Sequence, residues 1–155
     1  MKNTINIDFY PAQAADVPVL LKMINKLYLQ ENTTFVENDV LCALRKLIDN
    51  EQFGNAWVIN YQGAPAGYMI VVSVFSVEFK GETAFLDELF IEEEFRGKGL
   101  GALAVEYAEQ YAALKGYKAL RLEVEHANLT AQKLYRKKGF SAHERNIMTK
   151  WITGE

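Results

Sequence analysis

Arg96-Gly97-Lys98-Gly99-Leu100-Gly101-Ala102 is the stretch on which the reading of this chain turns. Before it, Ala84 to Ile91 reads as a strand. After it, Leu100, Leu103, Ala104, Tyr107, Ala108 and Tyr111 recur at helical spacing and predict a helix ending near Gly116. The glycines therefore lie at a strand-to-helix junction. Glycine at alternate positions lets the backbone approach a ligand closely and presents several N–H groups at the positive end of a helix, which suits a pyrophosphate. The same glycines would also make a bare tight turn. A P-loop needs Gly-Lys-Ser/Thr at its end, and the dinucleotide fingerprint needs G-x-G-x-x-G. This run is G-x-G-x-G and fits neither.

Farther on, Ala119 to Val124 predicts a strand, and Asn128 stands at the N-cap of another helix. Ala131 and Tyr135 fall one turn apart on one face of that helix, and Gly139 ends it after Arg136, Lys137 and Lys138. Taken alone, Tyr135 reads as a half-buried aromatic. Arg145 to Ile152 predicts a final strand or hairpin. Towards the N-terminus, Ile5 to Phe9 alternates as a short strand stopped by Pro11, and Asp16 caps a helix bearing Val17, Leu20, Leu21, Ile24, Leu27 and Tyr28. A second helix runs from Glu37 to about Asn50. Ala56 to Tyr61 and Gly67 to Phe79 read as strands joined by a hairpin at Gln62-Gly63, with Lys80-Gly81-Glu82 as the next turn. The order β-α-α-β-β-β-α-β-α-β-β predicts an α/β fold: an antiparallel meander followed by a strand–helix–strand crossover.

Composition sets the outer bounds. A chain of 155 residues, half of them apolar, can bury a real core and is expected to form one domain over residues 1–155. Lys+Arg 17 against Asp+Glu 20 leaves a net charge of −3, which argues against a nucleic-acid partner held by bulk charge. One cysteine, Cys42, closes no intrachain disulfide and builds no thiolate metal cluster, so a reducing, cytoplasmic setting is expected. The opening MKNTINIDFY has no apolar run of signal-peptide length, and no stretch nears the ~20 apolar residues that span a bilayer, so no membrane partner is expected. His143 has no evident partner, His126 suits a loop hydrogen bond beside Asn128, and Trp57 and Trp151 read as core.

The glycine run and the Asn128 helix, at this separation, resemble the GNAT N-acetyltransferase superfamily. The matching residues are Arg96-x-x-Gly99-x-Gly101-Ala102 after the strand Leu86 to Ile91, then Asn128, Ala131, Tyr135 and Gly139-Phe140. The opening Tyr10 to Asp16 with its helix is similar as well, so the resemblance covers essentially the whole chain. Phe85 to Gly99 looks most like the diamine acetyltransferase branch. The resemblance implies a central mixed, largely antiparallel sheet of about six or seven strands flanked by about four helices. It further implies acetyl transfer from acetyl-CoA to a primary amine of a small cationic substrate, without a metal, and a homodimer as a state the sequence leaves open. Carried over by position, Leu89, Phe90 and Ile91 would meet the pantetheine arm through their backbone. Arg96, Gly97, Lys98, Gly99, Leu100, Gly101 and Ala102 would hold the pyrophosphate. Asn128 would bind the pantetheine or its neighbour, and Tyr135 would stand at the thioester sulfur as general acid. Glu93 stands where the family often has proline, which changes the stiffness of the turn and not the chemistry.

This chemistry needs such groups. An alkylamine with a pKa of ~10.4 is neutral only to about one part in a thousand near pH 7.4, leaving roughly 4 kcal/mol to recover by proton removal. Counting back from Arg96, the resemblance to the diamine acetyltransferases implies Asp87 as the base, with Glu88 the fallback; the two should face opposite sides of their strand unless a bulge intervenes. Five of the eight residues Asp87 to Glu94 are acidic, which suits either a solvated turn or a mouth for cations, and Glu123 and Glu125 could add to the latter. A protein N-terminal or lysine acetyltransferase, a CoA-binding sensor and a nucleotide-binding module are the rival readings.

Overall fold

Strand β1 (Ile7–Pro11) opens the computed structural model, which describes residues 6–153; Ile5 of the expected first strand lies outside them. Contacts divide the chain into two units, Met1–Glu123 and Val124–Glu155. In the first, β1, β2 (Gly54–Tyr61), β3 (Ala64–Ser76), β4 (Gly81–Ile91) and β5 (Leu120–Leu122) form one sheet in sequence order. The first three pairings are antiparallel and β4/β5 is parallel. The β2–β3 hairpin turns on Gln62 and Gly63 with φ of 52° and 84°, the double positive φ that matches the twist of its flanking strands.

Helices α1 (Val17–Gln30) and α2 (Glu37–Ile48) cover one face of the sheet, with Leu20, Ile24, Leu27 and Leu44 buried against Val58, Tyr68, Ile70 and Phe90. Asp16 does not cap α1 forwards; its carboxylate accepts the N–H of Gln13, closing the short 3-10 turn that precedes the helix. Helix α3 (Leu100–Leu114) buries Leu100, Ala104, Val105, Ala108 and Ala112, mostly small side chains that allow close approach to the sheet. Beside it an aromatic cluster joins helix to strands: Phe9 stacks on Tyr107 at 4.7 Å, and Trp57 meets Tyr111 edge-on at 4.7 Å. Tyr111 also donates to Asn55 Oδ1 at 2.6 Å.

Two features of β4 shape the candidate site. The β3/β4 register runs Ile70↔Glu88 and then Val71↔Leu86, so Asp87 is an extra residue, a β-bulge. The parallel pairing with β5 spans Ala84–Leu86 and stops at the residue before that bulge. A bulge kinks its strand and raises the local twist, so β5 is shorter than the expected Ala119–Val124 and β4 continues from Asp87 to Ile91 with one edge unpaired among the described strands.

The second unit holds α4 (Leu129–Lys137). Asn128 Oδ1 accepts from Ala131 N at 3.0 Å, the expected N-cap. At the other end Gly139 N reaches Arg136 O and Phe140 N reaches Tyr135 O, both at 3.0 Å, with Gly139 at φ 89°. That is a Schellman ending, and its usual hydrophobic contact is the Tyr135–Phe140 ring pair at 5.7 Å. The expected strand over Arg145–Ile152 does not form, and the sheet has five strands among the described residues rather than six or seven. The apolar residues there come as adjacent pairs, Ile147-Met148 and Trp151-Ile152, which cannot share one face of a strand. All four are exposed, so Trp151 is not a core residue, whereas Trp57 is buried.

Candidate active site

The glycine turn is braced by its own side chains. Arg96 Nε donates to Ile91 O at 2.9 Å and its guanidinium lies over the Phe90 ring; Lys98 Nζ donates to Glu94 O at 2.7 Å and lies over Phe95. Lys26 of α1 ties down Glu92 at 2.8 Å. Gly97 and Gly99 adopt φ of 73° and 79°, which side-chain-bearing residues rarely tolerate, and a Cβ at either would meet no atom within 4 Å. The helical ladder begins with Leu103 N donating to Gly99 O at 3.1 Å. The amides of Leu100, Gly101 and Ala102 therefore have no carbonyl of their own helix to reach, and they sit at its positive end. Open space over the glycines and a row of free amides fit a pyrophosphate.

Leu89, Phe90 and Ile91 differ in where their backbone points. Glu92 N donates to Ala66 O, and Phe90 O turns towards Gly67 of β3, so the alternation of a strand leaves Leu89 and Ile91 facing the unpaired edge and Phe90 facing away from it. The Ile91 carbonyl is taken by Arg96, which leaves its N–H.

A cavity of about 580 Å³ opens on the α1/α2 side of the sheet. Ile24, Leu44, Ile70 and Val72 give it an apolar lining, and Asp39, Lys46, Tyr28, Asp87 and Glu88 supply its polar groups. The bulge answers the question of facing: by restarting the alternation at Glu88, it brings Asp87 and Glu88 to the same cavity. Glu88 accepts from Tyr28 OH on Oε1 at 2.8 Å and from Tyr68 OH on Oε2 at 2.7 Å. Burial pushes the Glu88 carboxyl up; the two phenols pull it back, and Asp87 and Glu31 push it up further. The same burial and the Glu88 charge raise both phenols, so they remain donors. Asp87 is open to solvent by its surface, yet the surrounding protein is close enough for desolvation to raise its carboxyl too. Of the acidic run, Glu92 is paired with Lys26, and Glu93 and Glu94 sit in the 3-10 turn; Asp87 and Glu88 are the two of that run that line the cavity. Asp39, Tyr28 and Tyr68 were not legible as site residues.

In the second unit, the Asn128 side-chain oxygen is occupied as a helix cap, which leaves its amide nitrogen. Tyr135 is half-buried and its phenol is raised by burial, so it is neutral and protonated at physiological pH. Gln132 Nε2 donates at 3.0 Å to the carbonyls of both Glu125 and His126, fixing the approach to α4.

The Acetyltransferase (GNAT) family matches residues 21–140, and the chain belongs to that family. It is 31% identical over 88 residues to the bovine (Bos taurus) thialysine N-epsilon-acetyltransferase, covering 54% of this chain and 52% of that protein. The chain spans about half the length of the curated relatives it matches. Among solved structures, an integron cassette protein from the mobile metagenome of Cole Harbour Salt Marsh superposes with a TM-score of 0.83 at 26% identity, covering 95% of this chain and 91% of that one. An aminoglycoside N-acetyltransferase in complex with CoA superposes with a TM-score of 0.82 at 13% identity, covering 99% of both, a likeness of fold.

Proposed function

We propose that this protein is an acetyl-CoA-dependent N-acetyltransferase whose acceptor is a small primary amine, cationic before reaction. The observation that carries the reading is on β4. The strand that loses its neighbour at Leu86 turns two carboxylates into a cavity at the next two positions. Family membership, the CoA held by a fold neighbour and the amine named for the bovine relative support it. The lone Cys42 suits a reducing cytoplasm.

Bound acetyl-CoA supplies a thioester, an activated acyl carbon with a thiolate as leaving group. The amides of Leu100, Gly101 and Ala102, with the open backbone of Gly97 to Gly99, hold the pyrophosphate. The free backbone groups of Leu89 and Ile91 pair with the pantetheine arm, and the Asn128 amide nitrogen binds at or beside it. Asp87 accepts a proton from the acceptor ammonium and returns it to water. The amine lone pair would then form the new C–N bond as the C–S bond breaks; Tyr135 would protonate the departing sulfur, and the proton the nitrogen sheds on becoming an amide would restore the Tyr135 phenol through water. A cavity of about 580 Å³ with acidic groups on an apolar wall suits a small cation rather than a folded protein surface.

Release of CoA thiol, measured over small amines, aminoglycosides, amino acids and peptides, tests the reading. Turnover on small amines is expected. CoA binding without thiol release on any amine would make the protein a sensor, and release on peptides alone would make it a protein acetyltransferase.

A further inference from the structure

Both oxygens of Glu88 are engaged, by phenols from two different elements: Tyr28 on α1 and Tyr68 on β3. A phenol has one proton to donate, and a neutral carboxylic acid must itself donate from one oxygen. With both phenols donating, Glu88 is satisfied as a carboxylate, and protonating it weakens the bonds it accepts from them. Tyr68 is fully buried, and its ring packs near Phe90 at 6.0 Å, so it has little freedom to turn. Tyr28 is held edge-on against Phe35 at 6.1 Å. Asp87, one residue away, has no such pair of donors.

We propose that Tyr28 and Tyr68 are positioning residues that hold Glu88 as a fixed, acceptor-only carboxylate, and that Glu88 so held binds the ammonium group of a ligand carried on a short apolar arm. The proposal rests on the reading of the cavity as the acceptor site. Each Glu88 oxygen has a second lone pair, and the carboxylate borders open cavity space. The charged and titratable groups around it are Tyr28 from α1, Glu31 at the residue that ends that helix, Asp39 and Lys46 from α2, Tyr68 from β3 and Asp87 from β4. Three carboxylates face one lysine on the cavity wall, which favours a cation, and Ile24, Leu44, Ile70 and Val72 take the apolar arm. The two carboxylates of β4 thus divide the task. Glu88, stabilised as an anion by two donors, anchors; Asp87, without them, takes the proton.

The test needs no acetyl-CoA. Calorimetry on the full chain compares 2-phenylethylamine with 2-phenylethanol, the same skeleton with and without the charge. The wild type should prefer the ammonium by about tenfold or more, the effect of one charge-assisted hydrogen bond. Glu88→Gln should abolish that preference. Tyr28→Phe or Tyr68→Phe removes one donor to the carboxylate and so raises the Glu88 pKa. The preference, lost as pH falls through that pKa, should then be lost at higher pH than in the wild type. A tyrosine with a merely structural role would not move this midpoint. Should the buried Tyr68→Phe fail to fold, Tyr28→Phe, at the cavity wall, carries the same measurement. Preference retained in Glu88→Gln, or an unmoved midpoint in a folded Tyr28→Phe variant, overturns the proposal. Thiol release is read separately. An ammonium preference without acetyl transfer would sink the enzymatic reading and leave the cation site; transfer without the preference would do the reverse.

Discussion

Asp87 is a carboxylate kept at a loss to the fold. Its pKa is raised by desolvation, so the folded state binds its proton more readily than the unfolded chain does. The charged form therefore costs stability above the raised pKa, and the cost disappears as pH falls through it towards the ordinary carboxylate value. Asp87→Asn is expected to raise the melting temperature near pH 7, with the gain shrinking in acid. The same variant should slow acetyl transfer most near neutral pH and recover at high pH, where the amine deprotonates unaided. A lowered melting temperature with normal turnover would show Asp87 to be structural. Tyr135 offers the converse case. Its ring is held by Phe140 across the end of α4, so Tyr135→Phe keeps the packing and should change stability by no more than about 1 kcal/mol. Acetylation should fall by roughly 10²–10⁴-fold with acetyl-CoA affinity unchanged, which steady-state rates beside direct binding would read. At this scale the sequence offered candidates without partners. Asp87, Glu88 and Tyr135 could be singled out by position, but Tyr28 and Tyr68 lie 60 and 20 residues from Glu88, and no local pattern announces a contact between them.

Elements were legible where backbone chemistry dictates them. Gln62-Gly63 needed positive φ and made the hairpin; Asn128 and Gly139 bounded α4 at the expected cap and stop. The bulge at Asp87 was not legible, because one extra residue in a ladder is defined by the partner strand. That single insertion shortens β5 and re-aims Glu88. The strand or hairpin expected at Arg145–Ile152 failed for a related reason: without one apolar face nothing favours pairing. At the start of α3 the glycines separate into two kinds. Gly99, at φ 79°, is required by the turn, so Gly99→Ala would strain the backbone whatever binds there. Gly101, the second residue of α3, has no positive φ, so the turn does not require glycine there. Its use there calls for another reason, which a phosphate against the backbone supplies. Gly101→Ala is expected to hold or raise the melting temperature while weakening CoA binding. Unchanged affinity in a stable variant would remove the phosphate role.

At the scale of the whole molecule, the class of fold was readable because strand and helix periods alternate along the chain. What composition could not convey is that one strand, β4, carries most of the first unit's chemistry. It leads into the glycine turn, exposes an edge from Asp87 to Ile91 and supplies two cavity carboxylates. This arrangement makes a discriminating demand of ligands. NAD and ATP bring phosphates that could approach the amides at the start of α3, but neither has a pantetheine arm to lie along the free edge at Leu89 and Ile91. CoA brings both. A ligand that binds only the folded state at 100 times its dissociation constant adds about 2.7 kcal/mol. For a chain of this length that corresponds to a rise of roughly 5–11 °C in melting temperature. Thermal melts with millimolar CoA, NAD and ATP should show that rise for CoA alone. A comparable rise with ATP or NAD would place the recognition in the phosphates and not on β4. No rise with CoA would remove the cosubstrate, and with it the pyrophosphate reading of Arg96 to Ala102.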